Sequence, residues 1–210
     1  MYFQVIMPVL GKTRKDVIKE FRTAELLEAA RRLFAEKGFH ATTVDDIAAA
    51  AGVAKGTVYL YYKSKQDVYW AALERGITEL HNEIQSRLKA EEAPEEKVRA
   101  FISIKIRYFE MNRDFFRIYF SELGSGLSHP SQMPPQFEQM YLKQAHMLEG
   151  VLQQGIESRT IREIRTDTAA VAISDLTRGI IVQRLLGWST KDVEADIGFV
   201  MDFVWRGIAA

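Results

Sequence analysis

Apolar residues recur along this chain at spacings of three and four, and nowhere alternate over a run, which marks helices lying with one face on a core. Ala30, Leu33 and Phe34 place such a face on a first helix from about Asp16 to Lys37, with Gly38 as its stop. Ile47, Ala48 and Ala51 repeat the pattern over Val44 to Ala51, and Val58 and Tyr61 repeat it over Lys55 to Tyr61. A long helix from Lys65 to about Lys89 ends at the break Glu91-Glu92-Ala93-Pro94. Further helices are predicted over Glu95 to Met111, Arg113 to Leu123, Pro135 to Ser158, Asp167 to Leu186 and Thr190 to Ile208. The turn-forming stretch Gly124 to Pro134 reads as a connection more than as a mobile cover over a cavity. The expected fold is all-α with about nine helices. It divides into an N-terminal three-helix module over residues 7–66 and a C-terminal helical domain over 67–210.

The segment from Val44 to Lys63, VDDIAAAAGVAKGTVYLYYK, reads as a helix-turn-helix. Gly52 falls at the turn, where positive φ is cheapest for glycine, and Val53 plugs the inside of that turn. Ala48 is small because the next helix crosses close above it. With Val58 and Tyr61 inward, Lys55, Gly56, Thr57, Tyr59 and Leu60 face outward. Lys55 and Thr57 bring donors to a helix N-terminus, which favours phosphate, and Tyr59 and Tyr61 suit phosphate oxygens, sugar or thymine methyl groups. Tyr62 reads as core. Lys63 and Lys65 flank Ser64, a cap for the next helix; they could neutralise phosphates, although a solvated charge pair is the usual fate of such residues.

The longer pattern RTAELLEAARRLFAEKGFHATTVDDIAAAAGVAKGTVYLYYKSKQDVYWAAL resembles the TetR family of bacterial transcriptional regulators. The matching features are Gly38-Phe39, Thr42-Thr43, Ile47-Ala48, Ala51-Gly52-Val53, Gly56-Thr57-Val58-Tyr59 and Lys63-Ser64-Lys65, within Arg22 to Leu73. The resemblance implies that Thr43 meets phosphate at the start of the second helix, that Lys55 to Tyr61 supply groove contacts, and that Lys65 meets phosphate again. The expected DNA-contacting set is Thr42, Thr43, Lys55, Gly56, Thr57, Tyr59, Leu60, Tyr61 and Lys65.

Charge sharpens this picture once it is divided. The 210-residue chain has no net charge, but residues 1–66 carry 11 Lys+Arg against 7 Asp+Glu and the remainder 17 against 21. The basic part is the part with the motif, as expected where one region faces phosphate. Lys12, Arg14, Lys15 and Lys19 extend it as an arm along DNA or a solvated tail, while Tyr2-Phe3-Gln4 leaves open whether residues 1–6 are a cloning remnant ahead of a start at Met7, so those residues carry no functional reading. With no cysteine, no disulfide or thiolate site exists. No apolar run approaches the roughly 20 residues of a membrane span, and no secretion signal opens the chain, so a cytoplasmic protein without a membrane partner is expected.

The last two helices carry broad apolar stripes, and pairing them with a symmetry mate gives an isologous four-helix interface. The residues expected there are Ile173, Leu176, Thr177, Ile180, Ile181 and Arg184, then Ile197, Val200, Met201 and Val204. The alternative is that both stripes are core within one chain. The resemblance also implies a homodimer, which suits a palindromic double-stranded operator with half-sites about 34–36 Å apart.

FISIKIRYFEMNRDFFRIYF, from Phe101 to Phe120, concentrates aromatics in two consecutive helices, and Met133, Phe137, Met140, Tyr141 and Met147 follow. Such residues are core or the lining of a cavity for an apolar or amphipathic small molecule. The resemblance makes this the effector-binding domain. The expected lining is Phe101, Tyr108, Phe116, Tyr119, Phe120, Phe137, Met140, Tyr141 and Met147, with Arg178 and Gln183 as polar contacts, Arg178 alternatively pairing with Asp175. The effector's identity stays open between an acyl chain, a hydrophobic acid and a drug-like aromatic.

An enzyme is disfavoured. The histidines His40, His81, His129 and His146 show no metal-ligand spacing, GVAKGT lacks the spacing of a phosphate loop, and Gly124-Ser125-Gly126 is no nucleophile elbow. No metal or cofactor is expected. The functional reading is a ligand-responsive, homodimeric DNA-binding repressor. The rival is a helical small-molecule-binding or interaction module without regulated DNA binding.

Overall fold

The computed structural model describes residues 13–91, 93–129 and 134–210, the side chains of Lys15 and Leu127 excepted. Residues 1–6, Lys12, Glu92 and Met133, which figure in the sequence reading, lie outside the described residues. Nine helices and no strand occur among those described: α1 (Arg14–Ala41), α2 (Val44–Ala50), α3 (Lys55–Tyr61), α4 (Lys65–Ala90), α5 (Pro94–Met111), α6 (Arg113–Ser128), α7 (Pro135–Glu157), α8 (Thr166–Leu185) and α9 (Val193–Ile208). The chain divides into two compact units between Leu73 and Glu74, within α4.

The first unit is built by local rules. Thr13 caps α1 in a reciprocal box with Asp16, and Thr43 does the same for α2 with Asp46, satisfying N–H groups that a helix start leaves open. Gly38, at φ +79°, breaks α1 and lets a last turn fold back. Thr42 locks that turn: fully buried, it donates its hydroxyl to the carbonyls of Gly38 at 2.8 Å and Leu33 at 3.2 Å. At the end of α2, Gly52 takes φ +65°, the Val53 N–H reaches the Ala48 carbonyl at 2.9 Å, and the Gly52 N–H reaches that of Ala49 at 3.1 Å. This is the paired bonding of a Schellman cap. Leu26, Ala30, Phe34, Ile47, Ala48, Val58, Val68 and Tyr69 close the core.

In the second unit α5 packs against α6, α7, α8 and α9, and α7 lies along α8. Phe101, Ile102, Ile106, Phe115, Phe116, Phe137, Leu148, Leu152, Ile181 and Val200 form its centre. Gly76 of α4 is required by a close approach, since a Cβ there would overlap the buried ring of Phe115.

Two sequence expectations change. Gly124 to Ser128 is helical, the last turn of α6, held by the Ser128 hydroxyl donating to the Gly124 carbonyl at 3.0 Å and by buried Leu123 and Gly126 anchoring its inner face. The apolar stripes of the last helices, expected at a dimer face, fill this chain's own core instead. Ile173, Thr177, Ile180, Ile181, Ile197, Val200, Met201 and Val204 are buried within the unit, so they have almost no area to offer a second copy. Leu176 is half-buried. Arg184 is held internally by Glu110 at 2.5 Å and Asp196 at 2.6 Å.

Candidate functional site

α3 presents two contrasting faces. Val58 is buried while Leu60 is 80 % exposed and Tyr59 about half exposed, so one short helix anchors on the core and leaves large side chains in solvent. Such exposure on a rigid helix is what a reading surface requires. Lys55 and Gly56 are exposed, and Thr57 and Tyr61 half-buried. Ala54 provides no side-chain cap, so the first N–H groups of α3 are not claimed by one.

Several polar groups beside α3 are already engaged. Lys55 donates to Asp45 at 2.8 Å, and that carboxylate holds the ammonium above its ordinary range. The exposed Thr43 hydroxyl donates to Asp46 at 2.7 Å, a bond that keeps the Asp46 carboxyl below its ordinary range. Thr42, grouped with the DNA contacts on sequence, is buried and cannot reach a ligand; its hydroxyl closes the end of α1 on the carbonyls of Gly38 and Leu33. Lys65 differs from its expected role as well. Its ammonium donates to the carbonyls of Phe39 at 2.7 Å, Thr42 at 2.8 Å and His40 at 3.3 Å, and lies 4.4 Å from the Phe39 ring centroid. Three carbonyls match the three donors of a lysine, and they are the open acceptors at the end of α1.

The second unit holds a narrow, partly open cavity of about 20 Å³, room for little more than a water. It is lined by Leu80, Lys105, Phe109, Phe116, Tyr119, Phe120, Tyr141, Gln144, Ser174, Asp175, Arg178 and Ile181, drawn from five helices. An open groove of about 490 Å³ lies beside it, lined by Arg117, Phe120, Leu123, Gly124, Arg178, Val182, Leu185 and Leu186. Phe120 and Arg178 border both, so these two side chains form the partition.

Of the expected lining, Phe116, Tyr119, Phe120, Tyr141 and Arg178 meet here. Phe101 and Phe137 are buried elsewhere in the core, and Met140 and Met147 do not reach the cavity. Tyr108 is committed to α4, donating to the Gly76 carbonyl at 3.1 Å and Glu79 at 3.2 Å. Gln183 is exposed, because α8 turns that position away from the core. Arg178 pairs with Asp175 at 3.0 Å, and both share Tyr141: its hydroxyl donates to Asp175 at 3.2 Å and accepts from Arg178 at 3.3 Å. Sequence reasoning missed Lys105, Gln144 and Ser174. Lys105 sits one turn after Phe101, and nothing in a sequence shows α5 to be covered on several sides.

Comparison with known proteins gives this geometry a lineage. The model of bacterial regulatory proteins of the TetR family matches residues 26–72, the segment that builds α2, α3 and their support. The transcriptional repressor KstR2 of Mycolicibacterium smegmatis is 31% identical over 160 residues, covering 74% of this chain and 76% of that protein. The chain belongs to the TetR family. Like its relatives in that family it is a DNA-binding transcriptional regulator. The fatty acid metabolism regulator protein of Bacillus subtilis is 28% identical over 139 residues, 66% of this chain and 70% of that one. The crystal structure of the regulator FadR from Bacillus subtilis in complex with stearoyl-CoA superposes with a TM-score of 0.73 at 23% identity, over 88% of this chain and 98% of that one. That match places the C-terminal unit, too, in the fold of TetR-family regulators.

Proposed function

We propose that the protein is a homodimeric repressor that leaves a palindromic operator when an amphipathic acyl compound enters its C-terminal unit. The observation that carries the reading is the outward face of α3, where Tyr59 and Leu60 stand in solvent beside Lys55 and Gly56 on a helix anchored by Val58. Lys55, Gly56, Thr57, Tyr59, Leu60 and Tyr61 enter the major groove, and Thr43 meets a phosphate. Lys65 supports this surface through α1. The functional domains divide at about residue 66, where the long helix leaves the reading module.

The dimer forms through the outer faces of α8 and α9. Val171, Leu186, Trp188, Phe199 and Phe203 are exposed, with Trp188 at 74 % and Phe203 at 64 %, and the rings of Phe199 and Phe203 stack with centroids 6.3 Å apart, which favours an apolar partner over solvent. The acyl reading is supported by the apolar groove, whose volume falls in the range of about 300–1,000 Å³ typical of ligand sites, and by the stearoyl-CoA bound to the Bacillus subtilis regulator. α4 contributes Leu80 to the cavity and Lys65 to the carbonyls at the end of α1, so it couples effector to DNA. Coupling requires that effector and DNA favour different conformers, and each then weakens the other.

The test is the affinity of the protein for a duplex that it selects from a random pool, with and without dodecanoate or stearoyl-CoA. The proposal expects one of them to weaken binding about 5- to 150-fold, the usual size of such couplings. Unchanged or stronger binding with both would overturn it.

A further inference from the structure

Resting on the acyl reading above, we propose that the effector is a free carboxylic acid bound head inward, with its carboxylate on Lys105 and its chain running past Phe120 into the groove between α6 and α8.

Lys105 is the least expected residue of the cavity wall. Its side chain is only 7 % exposed, yet no carboxylate pairs with it among the described residues, and its ammonium rests 4.9 Å from the ring centroid of Phe101. A buried cation without a counter-ion is costly, and proteins keep one where something binds it. The Ser174 hydroxyl faces the same cavity, buried and without a hydrogen-bond partner. Asp175, the one acid of the lining, is already taken by Arg178 and Tyr141. The cavity therefore offers a free positive charge and a free hydroxyl, which together match the two oxygens of a carboxylate. Burial, with repulsion from Arg178 added and attraction from Asp175 offsetting only part of it, pulls the Lys105 ammonium down to about 7, so a bound carboxylate would hold on Lys105 the proton that the empty site gives up near neutral pH.

The apolar chain has a path outward. Phe109, Phe116 and Ile181 wall the cavity, and Leu123, Val182, Leu185 and Leu186 wall the groove beyond. A swing of Phe120 joins the two while Arg178 stays on Asp175 and Tyr141. A thioester to a bulky polar carrier does not fit this orientation, because its large head has no room at Lys105.

Calorimetric titration of the full chain with dodecanoate, dodecan-1-ol and dodecanoyl-CoA, repeated on Lys105→Met, tests this. Dodecanoate is expected to bind wild type about 10- to 100-fold more tightly than the alcohol, the range of a charge-assisted hydrogen bond, with the preference erased in Lys105→Met. Lys105→Met should melt no lower than wild type. If it fails to fold, Ser174→Ala replaces it, with a several-fold loss for the acid and none for the alcohol. Equal binding of acid and alcohol, or an undiminished acid preference in the variant, overturns the proposal. Binding of dodecanoyl-CoA alone overturns the inward head while leaving the acyl effector standing. If none of the three binds, both fail, and the random-pool duplex selection still decides the regulator reading on its own.

Discussion

The two units solve the problem of building a site in opposite ways. In residues 13–73 the functional face is exposed, and it is placed by contacts between neighbours in sequence: the box of Thr43 with Asp46, the cap at Gly52, the single buried anchor Val58. In residues 74–210 the functional groups are buried, and they come from five helices, with Leu80 and Ile181 a hundred residues apart in sequence facing one cavity. The first arrangement keeps a surface stiff so that it can be read against DNA. The second leaves polar groups unsatisfied in an apolar interior, a cost that the proposed ligand would relieve.

The contrast is broken most severely at Arg184. Arg184→Met leaves Glu110 and the buried Asp196 without their shared cation, and urea unfolding should show the C-terminal unit destabilised by about 3–5 kcal/mol with the first unit unchanged. Gly76→Ala comes next. Its Cβ has to displace the buried Phe115 ring, and the overpacking outweighs the gain in helix propensity, for a net loss of about 1–3 kcal/mol in the thermal melt.

In the first unit the effects are smaller and separate structure from recognition. Thr43→Ala removes a cap and should cost about 1 kcal/mol of stability together with some DNA affinity. Thr42→Val should cost a similar amount by chemical denaturation, because it strips the donor from two buried carbonyls, while duplex affinity at a temperature where the variant is folded stays that of wild type.

Acid sharpens the comparison further. Burial, with Lys143 and Lys105 adding to it, lowers His81 from its ordinary 6.5 to about 4. Between those values the unfolded chain binds the extra proton, so the C-terminal unit loses stability as the pH falls through that window. Lys105 acts in the same sense from about 7 up to 10.5, where rising pH stabilises the folded unit. In the first unit the depressed group is Asp46, whose contribution is present above its ordinary 3.8 and lost only as pH falls below it. Melting followed at pH 5 by Trp205 should therefore show a lower transition than at pH 7, with Trp70 little changed.

How far the sequence could be read follows the same division. The first-unit helices were legible because capping residues, a glycine turn and a period of 3.6 are all local signals. Even there Thr42 and Lys65 misled, since a polar residue near DNA-facing neighbours looks the same whether it points outward or closes a helix end. In the second unit the helices were legible and their faces were not. The stripe on α8 contains Ile173 and Ile181, but Val171 and, just past its end, Leu186 are exposed, and only packing distinguishes core from exposed face. Lys105 could not be placed, because its burial depends on helices more than thirty residues away.

The central claim is that α3 reads DNA through its exposed face as one half of a two-fold pair. Selection of duplexes from a random pool by the wild-type protein, followed by binding of the selected duplex to Lys55→Ala and Tyr59→Ala, tests it most directly. The account predicts an inverted repeat occupied by two protomers, and losses for both variants of about 1–3 kcal/mol in binding with melting temperatures unchanged. Selected duplexes without two-fold symmetry, or variants that bind as wild type does, would contradict it.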